Sequence, residues 1–266
     1  MALMVFLAFF SFLILYWIPV MMEDNEESHM RDVKGQFSKL KETVDEQISL
    51  DNRDETRDTT IALGADGVPP FEKETQSQLS LQLNSEFFNY SFQDSGDDIY
   101  ENSSGSIDLY ALNRFYVQQR LVYENGAVLI VQSKGQIVYN EPEFHVEKHG
   151  DEVKLSSTLI SLYHDSDDRI TGTRPEKVST RLWYTDRWVY TNLSDPNRVV
   201  TLTIKTRYSS AWETYYDTTF RNAGLVNGED YNITAVSGGI RITIDRVFEF
   251  SLTHAFIEAY IGRQAK

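Results

Sequence analysis

The first 22 residues form an uninterrupted apolar run, MALMVFLAFFSFLILYWIPVMM, without a charged side chain. At about 1.5 Å per residue, some 20 helical residues cross the ~30 Å hydrocarbon layer of a bilayer. Each Leu, Ile, Val or Phe in such a segment favours insertion by about 0.3–0.6 kcal/mol. Tyr16 and Trp17 suit the lipid–water boundary, and Pro19 predicts a kink or a loosened turn. The pattern predicts a membrane helix.

Two other interpretations of this run fit less well. A cleavable secretory signal carries a basic region before the apolar stretch and a small-x-small cleavage site after it, and neither pattern occurs here. A buried core helix is usually shorter and has a polar face.

An amphipathic pattern follows the apolar run. Apolar residues recur at steps of three and four, which places them in one stripe of a helix. They are Met30, Val33, Phe37, Leu40, Val44 and Ile48. No proline interrupts residues 23–50, so the sequence predicts one helix of about 48 residues, roughly 70 Å long if straight. The stripe is equally suited to packing on the chain's own head and to packing on neighbouring subunits.

The remainder of the chain is rich in strand patterns. Asn125-Gly126 between two apolar runs predicts a tight hairpin turn, and Ser133-Lys134-Gly135 predicts a second one. The predicted strands are 79–83, 120–123, 127–132, 136–139, 144–148, 153–163, 179–192, 198–208 and 239–253. The fold class is therefore α+β: a long helix, then a mainly antiparallel, β-sandwich-like head.

One short helix interrupts the strands. Ser210 and Glu213 predict a capping box, and Gly224 predicts the helix end. Residues 51–75 are predicted to be a polar connection, and residues 95–106 an exposed loop. We divide the chain into residues 1–50 (helix), 51–105 (a polar connection with short strands) and 106–266 (the β-rich head).

Composition excludes several classes of function. The chain has 40 acidic and 25 basic side chains, a net charge of −15, which repels the phosphates of nucleic acid. It has no cysteine, which excludes disulfides, thiol catalysis and zinc–thiolate sites.

The search for catalytic or metal-binding motifs yields little. The sequence lacks a His-Glu-x-x-His motif, a Gly-x-Ser-x-Gly elbow and a phosphate-binding glycine loop. Asp165, Asp167 and Asp168 are weak candidates for Ca²⁺ ligands, and a solvated acidic turn explains them better. We expect no enzymatic activity and no cofactor.

The charge pattern favours an extracytoplasmic head. Residues 23–27 (EDNEE) are strongly acidic, which is unfavourable beside an anionic cytoplasmic leaflet. Four segments match the N-glycosylation acceptor pattern, at Asn89, Asn102, Asn192 and Asn232. Glycans attached there require exposure outside the cell.

Taken together, an apolar helix, an amphipathic stalk and a β-rich head resemble archaeal type IV pilins and pilin-like surface proteins. Two passages are also similar to segments of these proteins: Tyr123-Glu124-Asn125-Gly126-Ala127-Val128-Leu129-Ile130-Val131-Gln132, and the strand–helix passage from Thr201-Leu202-Thr203-Ile204 to Ser210-Ala211-Trp212-Glu213-Thr214-Tyr215-Tyr216.

The resemblance implies a subunit that is held in the membrane first and then polymerises with copies of itself outside the cell. In that family the apolar helices bundle at the filament centre after a peptidase removes a basic leader. No basic leader precedes Met1 here, so we expect a chain that is already mature, truncated at its start, or not processed in this way. Val5 occupies the position where bacterial pilins carry an acidic residue.

The resemblance assigns roles to two groups of residues. The filament-core group is Phe6, Phe9, Phe10, Phe12, Leu13, Leu15 and Trp17, and the stalk group is Val33, Phe37, Leu40, Val44 and Ile48.

Two other functions remain open on the sequence alone. The first is a monomeric, membrane-anchored surface protein that binds a partner through its head. The second is an exported hydrolase, which is supported only by the general abundance of carboxylates in the chain.

Overall fold

A computed structural model describes residues 1–193 and 198–262. Its N-terminal helix runs without a break from Ala2 to Ser49, as the sequence predicts. It consists of α1 (Ala2–Phe12), a π-helical turn (Leu13–Trp17) and α2 (Ile18–Ser49). Pro19 explains the π turn, since proline lacks an N–H and its ring collides with a carbonyl four residues earlier. The Ile18 amide bonds instead to the Leu13 carbonyl, which widens the helix without breaking it.

Within the described residues, sixteen strands and one further helix, α3 (Ser209–Asn222), follow the long helix. The strands are β1 (Arg57–Ile61), β2 (Ser77–Gln82), β3 (Phe87–Asp94), β4 (Asp97–Ser103), β5 (Ser106–Ala111), β6 (Gln119–Glu124), β7 (Ala127–Gln132), β8 (Gly135–Asn140), β9 (Phe144–His149), β10 (Glu152–Tyr163), β11 (Asp168–Gly172), β12 (Glu176–Tyr190), β13 (Val200–Lys205), β14 (Tyr231–Val236), β15 (Gly239–Ile244) and β16 (Val247–Ile261).

Across residues 1–193 and 198–262 the strands form three sheets. The first has the order β1-β12-β16-β10-β9, the second β11-β2-β5-β6-β7-β8, and the third β14-β15-β13-β3-β4. Neighbouring strands are antiparallel except β10 and β16, which are parallel. The α+β fold class is confirmed. Strands β1, β2 and β3, from residues 51–105, pair with strands from residues 106–266, one in each of the three sheets.

The head has two apolar clusters. The first lies beneath α2, whose stripe packs against residues from several strands, among them Leu79, Leu109, Leu182 and Ile257. The second lies between the third sheet, α3 and parts of the first two sheets, and it contains Tyr90, Leu202, Trp212 and Phe220. Strand β16 serves both clusters, because Phe250 and Leu252 belong to the second and Ala255 and Ile257 to the first.

The prediction of an exposed loop at residues 95–106 is wrong. Residues 97–103 form β4, which pairs with β3 along its whole length. Ser95 and Gly96 have φ of 54° and 93°, the left-handed conformation of a tight hairpin turn. The sequence misleads here because acidic and small residues are rare in central strands, whereas β4 lies at the edge of its sheet.

Two further predictions about local structure are wrong. Residues 239–253 do not form one strand, because β15 ends at Ile244 and Arg246, with φ of 57°, turns the chain into β16. Helix α3 has no capping box. Tyr208 occupies its N-cap without a side-chain cap, and Ser210 lies inside the helix. By contrast, the hairpin turn at Asn125-Gly126 is confirmed, with φ of 43° and 77°.

Candidate functional site

The N-terminal third of the long helix stands outside the head. Helix α1 buries none of its residues. Of the predicted filament-core group, Leu13 is half-buried and the others are exposed, namely Phe6, Phe9, Phe10, Phe12, Leu15 and Trp17. Phe9 is 64% exposed and Leu15 is 77% exposed. An apolar surface of this size is unfavourable in water and indicates a binding partner or a lipid environment.

Length and composition make this helix compatible with a membrane anchor. Among the residues that the structure describes, the Ala2–Ser49 helix alone meets both criteria, with a mean hydropathy of 2.4 over its best window. Its aromatic rings stack along the helix in pairs four residues apart. The ring centroids of Phe6 and Phe10 are 5.9 Å apart, and those of Phe12 and Tyr16 are 5.4 Å apart. These rings form an ordered aromatic surface on the exposed helix.

The stalk stripe packs on the chain's own head. Val33, Phe37, Leu40 and Val44 have no exposed surface, and Ile48 is 9% exposed. They lie in the apolar cluster beneath α2, together with residues of both the first and second sheets. The sequence suits packing of this stripe either on the chain's own head or on neighbouring subunits. In the structure the head supplies the contacts.

A buried carboxylate ties the helix to the head. Glu26 is fully buried. Its oxygens accept hydrogen bonds from the amides of Arg114 (3.0 and 3.1 Å), Phe115 (2.8 Å) and Tyr116 (2.7 Å), and from Thr75 Oγ1 (2.6 Å). Burial alone raises the pKa of this carboxyl, but the four donors outweigh it and lower the pKa below its ordinary value. Glu26 therefore anchors the helix to the segment 114–116.

A hairpin loop rises beside the exposed helix. The backbone pairs Ala65 with Thr75 and Val68 with Glu72. Side chains of α2 and of the segment 114–116 hold the loop. Asn25 Nδ2 donates to the Asp66 carbonyl at 2.9 Å, and Arg114 forms an ion pair with Glu72 at 3.1 Å. Beyond them, the Phe71 ring lies 6.1 Å from the Phe10 ring, centroid to centroid.

Three side chains meet in the order of a hydrolase triad. Ser161 Oγ lies 2.9 Å from His254 Nε2, and Glu101 Oε2 lies 3.3 Å from His254 Nδ1. Burial lowers the pKa of His254 to about 4, which makes its imidazole a weak base at neutral pH. Acyl transfer also needs N–H donors for the oxyanion.

The backbone around Ser161 does not supply such donors. The Ile160 amide donates to Asn125 Oδ1 at 2.9 Å, and the Leu162 amide donates to the Ser104 carbonyl at 2.9 Å. Ser161 itself lies in the pairing of β10 with β16. The geometry therefore favours a structural role for these three side chains, in which they join β4 to the first sheet.

An aromatic surface lies on the outer side of the first sheet. It consists of Tyr163, Trp183, Tyr184 and Phe256. The Tyr184 and Phe256 rings stack at 4.4 Å, and Trp183 lies 5.1 Å from Tyr163. Trp183 is 58% exposed because it occupies the irregularity between Leu182 and Tyr184 in β12. Exposed Trp and Tyr rings are typical of interaction surfaces.

Three of the four sequons share one sheet face. Asn89 and Asn102 lie directly opposite each other on β3 and β4, and Asn232 lies on β14 of the same sheet. All three point away from the apolar cluster; Asn102 and Asn232 are exposed and Asn89 is half-buried. Asn192 is also exposed, but Ser194 of its sequon lies outside the described residues.

Two carboxylates of the acidic turn accept hydrogen bonds from backbone amides. The Asp167 carboxylate accepts a hydrogen bond from the Leu83 amide at 2.8 Å, and the Asp168 carboxylate accepts one from the Ile261 amide at 3.2 Å. Asp165 is exposed. In residues 1–193 and 198–262, no three Asp, Glu or His side chains are grouped so that they could hold a metal ion. These carboxylates instead fix the ends of neighbouring strands.

Searches against protein-family models, curated proteins and solved structures find no match for this chain.

Proposed function

We propose that this protein is the structural subunit of an extracellular, type IV pilus-like filament. The observation that carries the proposal is one continuous helix with two environments. Residues 2–17 bury nothing in the head, whereas the stripe from Met30 to Ile48 is buried in it. The hydrogen bonds of Glu26 tie the helix to the head, from which its apolar third projects. Identical helices that bundle together cover such a surface on every side.

The assembly follows from the geometry of one subunit. Adding identical subunits through surfaces that do not close into a ring generates a helical fibre. Before assembly, lipid covers the apolar helix, and in the fibre neighbouring helices cover it. The acidic head, with a net charge of −15 for the whole chain, then faces water and keeps fibres apart.

The head also provides a surface for adhesion. We assign this role to the aromatic surface around Trp183, because its rings lie on the sheet face opposite to the α2 cluster. Three of the four sequons, at Asn89, Asn102 and Asn232, lie on the third sheet, whereas this surface lies on the first.

The experiment removes aromatic rings from the exposed helix while keeping the helix apolar. Phe6, Phe9 and Phe12 are changed to Leu in the full chain, which retains membrane insertion because Leu and Phe favour it similarly. Sheared surface material is examined by electron microscopy, and membranes are assayed for the chain. We expect filaments to be lost or strongly reduced while the chain stays in the membrane.

The control is Phe87→Leu, the same substitution on the head at an exposed phenylalanine of β3. It should leave the filaments unchanged. If the wild-type chain is found only as solitary molecules in the membrane, the protein is an anchored monomer and the filament proposal is overturned. Normal filaments from the triple variant overturn the role assigned to the aromatic rings.

A further inference from the structure

The hairpin loop beside the helix carries an uncharged tip, Val68-Pro69-Pro70-Phe71. Pro69, Pro70 and Phe71 are exposed, and Phe71 has 42% of its surface accessible. Two residues that flank the tip have partners, since Glu72 forms an ion pair with Arg114 and the Asp66 carbonyl accepts a hydrogen bond from Asn25. The apolar tip lies beside the apolar helix, with the Phe71 ring against that of Phe10.

We propose that this tip is a second membrane-inserting element, which enters the bilayer alongside the N-terminal helix and has lipid acyl chains as its partner. The inference rests on the membrane stage of the proposed function, and it does not depend on filament assembly.

Helix length is the first argument. Residues 1–22 extend about 33 Å, which matches the ~30 Å hydrocarbon layer. The tip contacts this helix at Phe10, twelve residues before Met22. If the tip stayed in water, only residues 1–10 would remain for the hydrocarbon layer, and they extend about 15 Å. A helical segment of that length crosses only half of the hydrocarbon layer. A spanning helix therefore places the tip within lipid.

The backbone of the tip is the second argument, and it is independent of the first. Lipid offers no partner to an N–H group, so a segment that enters it must satisfy its own donors. The Val68 amide donates to the Glu72 carbonyl at 3.0 Å, and the amides of Phe71 and Glu72 donate to the Val68 carbonyl at 2.8 and 3.0 Å. Pro69 and Pro70 have no N–H. Every amide hydrogen from residue 68 to residue 72 is thus already bonded.

Continuity with the helix identifies the occupant. The Phe71 ring packs edge-on against Phe10, with an interplanar angle of 60°, and so extends the apolar surface of the helix. Any medium that surrounds Phe10 also surrounds Phe71. While the helix is in the membrane, that medium is lipid.

The absence of cysteine makes the test direct, because a single introduced cysteine carries a label at one known place. The full chain is reconstituted at low density in phosphatidylcholine vesicles with an environment-sensitive NBD label at Phe71→Cys or Pro70→Cys. Leu15→Cys, on the exposed helix, reports the membrane interior. Leu50→Cys is the matched control, since Leu50 is an exposed apolar residue about 60 Å along the helix from Phe10.

We expect the labels at residues 70 and 71 to emit at short wavelength and to be quenched by doxyl-labelled lipid as strongly as the label at residue 15. The label at residue 50 should be quenched by aqueous iodide instead. If residues 70 and 71 behave like residue 50 while residue 15 is quenched by lipid, the inference is overturned and the membrane anchor stands. If residue 15 is also exposed to iodide, the membrane stage itself is overturned. Shielding of residue 71 that appears only at high protein density, without quenching by lipid, assigns the tip to a second copy and overturns lipid as its partner.

Discussion

Both carboxylate oxygens of Glu26 accept a hydrogen bond from the amide of Arg114, a residue 88 positions further along the chain. The contact joins the helix to the loop between β5 and β6. Together with the buried side chains of Ile18 and Met22, Glu26 ties the helix to the head next to its exposed segment.

Replacing Glu26 by Gln should destabilise the whole chain. The amide retains one acceptor oxygen, so some of the three backbone donors lose their partner inside the protein. We expect a loss of about 1–3 kcal/mol in the free energy of unfolding. Denaturant titration in detergent measures it. Glu27→Gln is the matched control, because Glu27 is exposed and pairs only with Arg31 in the described contacts. Equal stability of the two variants would contradict the anchoring role.

Phe37→Ala tests whether the stalk is part of the head's core. Phe37 is fully buried among residues of the same chain, so its truncation should cost about 3–5 kcal/mol in an isolated subunit. Thermal unfolding of monomeric protein in detergent provides the measurement. Lys39→Ala, on the exposed side of the same helix, should stay within about 0.5 kcal/mol of the wild type. A stable Phe37→Ala monomer would mean that neighbouring subunits, not the head, bury this ring.

Glu124 should make the head less stable as the pH rises. This carboxyl is fully buried and accepts hydrogen bonds from Trp212 Nε1 and Thr206 Oγ1, and burial raises its pKa to about 8. In the unfolded chain it ionises near 4.5. The unfolded state therefore gains stability between pH 4.5 and pH 8, and the free energy of unfolding falls over that window and levels off above it.

Glu124→Gln removes this titration. Relative to the wild type, the variant should gain at least about 1 kcal/mol between pH 5 and pH 8, since one pKa unit corresponds to about 1.4 kcal/mol. Unfolding curves at the two pH values measure the difference. Glu213→Gln, at an exposed position of α3, should change neither curve. A pH-independent difference between Glu124→Gln and the wild type would show that the carboxyl is ionised in the fold.

The exposed sequons should carry glycans in the native host. Asn102→Gln and Asn232→Gln should each reduce the mass of the chain by one glycan, as measured by intact-mass spectrometry. Thr234→Ala destroys the sequon of Asn232 without changing Asn232 itself, and it should remove the same glycan. Asn89 is half-buried in the middle of a sheet, so Asn89→Gln should have a smaller effect. Unchanged masses for all four variants would refute glycosylation of this face.

Trp183→Ala should separate adhesion from assembly. Trp183 is largely exposed, so its removal should change the free energy of unfolding by less than about 0.5 kcal/mol and leave filaments intact. Attachment of those filaments to cells should fall. Val226→Ala, at an exposed apolar residue outside the aromatic surface, is the control. Full attachment of the Trp183→Ala filaments would remove this surface from the adhesion proposal.

Local patterns in the sequence predict those elements that neighbouring residues along the chain determine. The stripe from Met30 to Ile48 follows from helical spacing, and the turn at Asn125-Gly126 follows from the backbone freedom of these two residues. Strand β4 was missed because its stability comes from pairing with β3 and not from its own residues, such as Asp97 and Asp98.

Contacts between distant segments are beyond such patterns. Nothing around Glu26 in the sequence indicates that its partners are the amides of residues 114–116. The same holds for the contact between Ser161 and His254, 93 positions apart. The hairpin tip did leave a signal, since Pro69-Pro70-Phe71 is an apolar group within a polar stretch. Its place beside Phe10 needed the three-dimensional structure.

The position of β16 constrains when this protein can fold. The strand lies between β12 and β10 in the first sheet and contributes side chains to both apolar clusters. Neither cluster can close until residues 247–261 have been synthesised, which gives the fold many contacts between distant segments and slow folding. The apolar helix, in contrast, leaves the ribosome first. The membrane stage of the proposed function therefore has the nascent chain meet the membrane while its head is still unfolded.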